Sequence, residues 1–143
     1  MLLTFRGTAH PPPGLSEPDV ANLSAAEIAT TDLTGKPLLF EHSSGHTVGV
    51  CQASWEGRDG SLRVQGVVKD VAIERSMRAG KNQGLSLGTD VVTDTTGKPL
   101  YKGQMELSVC NEPRRPLCYV DNIDGRDTRT RRRFSGGARP PPR

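Results

Sequence analysis

A serine can carry acyl transfer when an imidazole takes its hydroxyl proton and a third group holds that imidazole in the right tautomer. The chain has three histidines, His10, His42 and His46, so the choice of base is narrow. His10 lies in a proline turn, while His42 and His46 flank Ser43-Ser44-Gly45 just after an apolar segment. A histidine at a strand end is held by the strand while its loop faces solvent. Taken alone such a residue is more often structural, and a partner changes that balance. The partner is Ser86, in Gly84-Leu85-Ser86-Leu87-Gly88. Strand alternation sends the two leucines to one face and Ser86 to the other, and the flanking glycines leave room for a backbone or a substrate. For the group that orients the imidazole, Glu106 lies on the polar face of its segment between Gln104 and Ser108, with Glu41 and Asp90 open as alternatives. Residues 111–116 follow as a loop stiffened by Pro113 and Pro116, in which Arg114 and Arg115 each keep a backbone N–H that an oxyanion could use.

These residues need strands to hold them. Residues 2–6 read as a short apolar strand, ended by the proline run Pro11, Pro12, Pro13. Ser24 and Glu27 have capping-box spacing for a brief helical turn. Residues 37–40 and 47–53 have strand character, Asp59-Gly60 reads as a hairpin turn, and Leu62, Val64 and Gly66 alternate with polar residues. Residues 71–80 have helical composition with a stop at Gly80. Strands are expected over 84–92 and 101–109, the second with the clearest alternation in the chain, and a last short one over 117–120. The expected architecture is a β-rich α+β fold, a small closed or partly closed antiparallel β-barrel with a few short helices.

The 143 residues are enough for one domain with one modest core. The net charge of +3 hides an asymmetry: residues 125–143 hold seven Arg against one Asp, a net of +6, so the rest carries −3. We therefore divide the chain into a folded domain at 1–124 and a basic Arg/Gly/Pro-rich tail at 125–143, too poor in apolar side chains to offset its ordering entropy. Such a tail can touch nucleic acid or an acidic partner. No apolar run approaches the roughly 20 residues of a membrane span. The start, Met1-Leu2-Leu3-Thr4-Phe5-Arg6, lacks the basic-then-apolar order of a signal peptide, so an intracellular, non-secreted protein without a membrane partner is expected. Cys51, Cys110 and Cys118 are odd in number and lack metal-ligand spacing, which points to buried thiols, neither a disulfide framework nor a zinc site.

In order along the chain, the segment Pro37–Phe40 leading to His42, then Val48-Gly49, Asp59-Gly60-Ser61-Leu62, a helix, Gly84-Leu85-Ser86-Leu87, and a strand ending at Cys110 before Arg114-Arg115 resemble the herpesvirus assemblins and the prohead proteases of tailed phages. The resemblance covers about residues 37–120. It implies an assemblin-like fold and a serine endopeptidase of capsid maturation. Its substrates would be scaffold and capsid precursor proteins, itself included, inside the assembling procapsid of an infected cell. It further implies Ser86 as nucleophile, His42 as general base, and Arg114 and Arg115 at the oxyanion hole, with no cofactor or metal. The assemblins place a second histidine four residues before the cysteine; here that position is Glu106, and an acidic third member is similar to the phage branch. The resemblance implies a homodimer, yet the chain is shorter than the assemblins and lacks the added helices that carry their dimer contact. Two readings of other classes stand beside it: a catalytically inert capsid-assembly or scaffold-binding module of the same fold, and a nucleic-acid binder working through its tail.

Overall fold

The computed structural model describes residues 2–15 and 21–128. Its strands are β1 (Leu3–His10), β2 (Pro37–Phe40), β3 (Ser43–Glu56), β4 (Leu62–Val68), β5 (Gly84–Thr93), β6 (Pro99–Cys110), β7 (Val120–Ile123) and β8 (Arg126–Asp127), with helices α1 (Ala25–Thr30) and α2 (Val71–Arg78). One eight-stranded sheet runs in the order β5-β6-β2-β3-β4-β1-β7-β8. Its ladders are antiparallel except that β2 runs parallel to β6.

The sheet is β-rich and curved as expected, but it does not close into a continuous barrel. Its β5 end meets the segment before β7 at one bridge, Gly84 with Tyr119. There the Leu85 N–H donates to the Cys118 carbonyl at 2.9 Å and the Val120 N–H to the Gln83 carbonyl at 2.7 Å. On its other side the same segment meets β1, where the Thr8 N–H donates to the Tyr119 carbonyl at 3.2 Å.

The apolar alternation explains the core. Leu3 and Phe5 of β1, Leu62 and Val64 of β4, Leu85 and Leu87 of β5, and Leu107 and Val109 of β6 are all buried in one cluster. Ile73 and Met77 of α2 and Ile28 of α1 cover it. Both helices start at side-chain caps. Ser24 and Glu27 form the reciprocal box expected from their spacing, and Asp70 accepts the Ile73 N–H. Among the described residues, no helix is long and apolar enough to cross a membrane.

Several elements depart from the expected bounds. β1 continues through Gly7 to His10, where Pro11 stops it. β3 starts at Ser43, four residues before the apolar run, because the turn at 41–42 pairs Phe40 with Ser43 at once. The last expected strand shifts to Val120–Ile123, since Leu117 adopts a left-handed backbone that ladder residues do not take. Past the expected domain boundary at 124, β8 pairs with β7 and the Thr128 hydroxyl donates to the Val120 carbonyl. The remainder of the expected basic tail lies outside the described residues.

Gly49 shows how closely the strands pack. A Cβ there would lie 1.8 Å from the Val67 carbonyl oxygen, whereas one at Gly45 would meet nothing. Gly49→Ala should therefore lower the unfolding free energy by more than about 2 kcal/mol. Gly45→Ala should stay within about 0.5 kcal/mol of wild type, both read by urea denaturation.

Candidate active site

Three neighbouring strands bring the sequence candidates together. In the β5–β6 ladder Ser86 is opposite Ser108 and Gly88 is opposite Glu106. Alternation therefore puts all four on one face of the sheet. β2 lies on the other side of β6, with Leu39 opposite Ser108 and Phe40 opposite Val109. Because the two strands run parallel, the turn that follows Phe40 emerges beside the C-terminal half of β6.

That turn has only two residues, Glu41 and His42, with φ of 51° and 60°. Both central residues left-handed is the pattern of a tight type I′ hairpin, normally built from Asn or Gly. Each residue with a Cβ in that region costs about 1 kcal/mol or more. Neighbouring hydrogen bonds hold it. The Glu41 N–H donates to the Val109 carbonyl at 3.0 Å. The His42 N–H donates to Ser108 Oγ at 3.1 Å, and Glu41 Oε1 accepts the Asn111 N–H at 2.9 Å.

The His42 ring then bridges the other two candidates. Its Nε2 is 2.8 Å from Ser86 Oγ and its Nδ1 is 2.6 Å from Glu106 Oε1. An ionised carboxylate can only accept, so the proton of the neutral ring belongs on Nδ1. That leaves the Nε2 lone pair to accept from the Ser86 hydroxyl. A base within hydrogen-bond reach of a hydroxyl, itself oriented by a carboxylate, is the arrangement that activates a serine for attack on a carbonyl. The His42 and Glu106 side chains are 40% and 38% exposed, whereas Ser86 is 7% exposed, so the ring covers the serine hydroxyl from an open face.

The flanking glycines serve neighbours inside the protein. A Cβ at Gly88 would lie 2.7 Å from Glu106 Cγ and 2.8 Å from its Oε1, so Gly88 is the space in which the carboxylate sits. A Cβ at Gly84 would meet Pro113 Cδ at 2.8 Å, so Gly84 lets the 111–116 loop lie against β5.

The remaining candidates separate. Glu41 bonds the Asn111 N–H, and Asp90 is exposed on β5 beyond a bulge at Thr89, so the Nδ1 side of His42 is held by Glu106. His46 points elsewhere, with Nε2 3.4 Å from Asp70 and its ring edge-on to Phe40. His10 is buried, with Nδ1 2.7 Å from the Pro11 carbonyl and Nε2 accepting the Leu23 N–H. The two arginines divide: Arg114 is exposed and Arg115 is 7% exposed. The Arg115 guanidinium donates to the Leu87 carbonyl at 2.9 Å, to Asn22 Oδ1 at 2.9 Å and to the Ala21 carbonyl at 3.1 Å. It thereby clamps β5 one residue beyond Ser86. Ser108 was not among the sequence candidates. Its place on the polar face beside Glu106 was the available signal, but only the ladder register puts it opposite Ser86.

Comparison with known proteins agrees with the architecture. No protein-family model and no curated protein sequence matches the chain. Among solved structures it is similar to the Kaposi's sarcoma-associated herpesvirus protease in complex with a hexapeptide phosphonate inhibitor. The TM-score is 0.63 at 16% identity, over 94% of this chain and 70% of that one. The same viral protease in complex with an allosteric inhibitor gives 0.56 at 16% identity, over 96% and 85%. The varicella-zoster virus protease gives 0.55 at 14% identity, over 87% and 64%. The fold is thus that of the herpesvirus proteases.

Two tests follow from the geometry. Gly88→Ala should drive the Glu106 carboxylate off Nδ1 while the protein stays folded, seen as loss of the downfield Nδ1–H proton resonance of His42; an unchanged resonance would contradict the packing described. The thiols are all buried, and burial raises Cys51, Cys110 to about 11 and Cys118 to about 12. At pH 8 they should stay protonated and react with an aromatic disulfide reagent only after unfolding.

Proposed function

We propose that this chain is a serine endopeptidase of viral capsid maturation, of the herpesvirus-assemblin and phage-prohead type. It would act on scaffold and capsid precursor chains, itself included, by an acyl-enzyme mechanism. The observation that carries the reading is the continuous Ser86–His42–Glu106 relay, with contacts of 2.8 and 2.6 Å on the two nitrogens of one ring. The open site supports a chain-like substrate. β5 is terminal in the strand order; the 118–120 segment and Arg115 cover its edge as far as Leu87, and beyond Leu87 an extended peptide can lie alongside. A cleft lined by Arg78, Gln83, Asp124, Arg126 and Thr128 contains none of the three triad residues.

In this mechanism the Ser86 oxygen attacks the scissile carbonyl as its proton passes to His42 Nε2. Glu106 keeps the ring in the attacking tautomer and stabilises the imidazolium. The backbone N–H of Arg114 would serve the oxyanion, as the resemblance to the assemblins implies, while the buried Arg115 keeps the strand behind the nucleophile in place. His42 returns the proton to the leaving amine, and water then hydrolyses the acyl-serine by the same route. A carboxylate in the third position performs the orienting role that the assemblins give to a second histidine.

Turnover of a scaffold-derived peptide and labelling by a peptidyl phosphonate test this reading. Ser86→Ala and His42→Ala should each lower kcat by roughly 10⁴-fold or more, with the double variant hardly worse. Glu106→Gln should lose up to about 10⁴-fold and no more than either of these, since nucleophile and oxyanion donors remain. His46→Ala should behave as wild type. Absence of phosphonate labelling at Ser86 in the folded wild-type chain would instead favour an inert assembly module.

A further inference from the structure

The Ser108 hydroxyl stands where the three strands of the triad meet. The residue is fully buried, opposite Ser86 on one side and Leu39 on the other. Its oxygen accepts the His42 backbone N–H at 3.1 Å and lies 3.4 Å from His42 Nδ1, the ring nitrogen that faces Glu106. A buried hydroxyl finds its partners within the protein. This one finds them on the single residue that must reach both Ser86 and Glu106, and that residue has a left-handed backbone at φ 60°. An alanine would fill the space nearly as well but would leave the His42 N–H unpaired at the point of strain.

We propose that Ser108 is a positioning residue for His42, an inference that rests on the serine-protease reading. Its oxygen fixes the backbone of the two-residue turn. As a second, longer acceptor beside Nδ1–H it also keeps the ring in the tautomer whose Nε2 lone pair faces Ser86. It does not meet substrate, because no part of it reaches solvent.

Ser108→Thr, Ser108→Val and Ser108→Ala separate the hydroxyl from its volume, since threonine and valine have nearly the same shape and differ in the hydroxyl. The first readout needs no substrate: ¹⁵N NMR of the imidazole rings in the purified full chain, with His42 assigned from His42→Ala. Wild type and Ser108→Thr should show a fixed Nδ1–H tautomer at His42, and Ser108→Val and Ser108→Ala averaged tautomers. The second readout is peptide turnover. The variants without hydroxyl should lose kcat on the order of 10²-fold at unchanged KM. Ser108→Thr should remain within a few-fold of wild type. Equal behaviour of the threonine and valine variants, or wild-type tautomer and kcat in Ser108→Ala, would overturn the proposal. Should the two larger side chains prevent folding, Ser108→Ala decides, since it adds no volume. If the wild-type chain cleaves no peptide, the protease reading fails, while the tautomer comparison still decides whether Ser108 positions His42.

Discussion

β2 lies parallel to β6 in a sheet whose other ladders are antiparallel, and the geometry of the site depends on that pairing. A parallel pair cannot be joined by a tight turn, so the chain makes several other elements before β6 arrives beside β2. The direction is what matters. With the strands parallel, the turn after Phe40 emerges next to Ser108 and Val109, within reach of Ser86 across one ladder. An antiparallel β2 would deliver the same histidine toward the Pro99 end of β6, away from Ser86. The placement of His42 is therefore a tertiary property, set by how two strands distant in sequence align.

Local devices then refine what the pairing provides. The left-handed turn would be unfavourable in isolation, and its bonds to Val109, Ser108 and Asn111 offset that cost. Gly88 gives up its side chain so that a carboxylate can occupy the space. Arg115 is buried under a different logic. Its guanidinium is matched by two carbonyls and an amide oxygen, so a charge taken from water has an acceptor at each of its three nitrogens. The result is a serine held rigidly from behind and covered by a ring that solvent can reach.

Much of this was legible from residue types and order. Alternation located β4, β5 and β6, spacing located the Ser24–Glu27 box, and the small number of histidines pointed to His42. Glu106 could be singled out from its strand face, but Glu41 and Asp90 stayed open until the register placed Glu106 opposite Gly88. What remained hidden depends on pairing. Ser108 looks like any polar-face residue until β2 and β5 flank it. The left-handed pair at 41–42 carries none of the usual Asn-Gly chemistry, because neighbours impose it. β7 and β8 are too short for a periodic signal, and the incomplete closure of the sheet is a matter of strand curvature that residue patterns do not encode.

The junction at Gly84 and Tyr119 gives the molecule a seam. Only a few main-chain bonds fasten the β5 end to the segment that also leans on β1, whereas the body of the sheet is joined by long ladders over a common core. Proteins open first where few bonds and little apolar contact must be broken. Opening here would part the 118–120 segment from the outer edge of β5 beside Ser86, while β5 keeps its own ladder to β6. Amide protons of Leu85 and Val120 would then exchange with solvent ahead of those in the central ladders, and warming would bare the outer edge beside Ser86 in a molecule whose core has not yet melted.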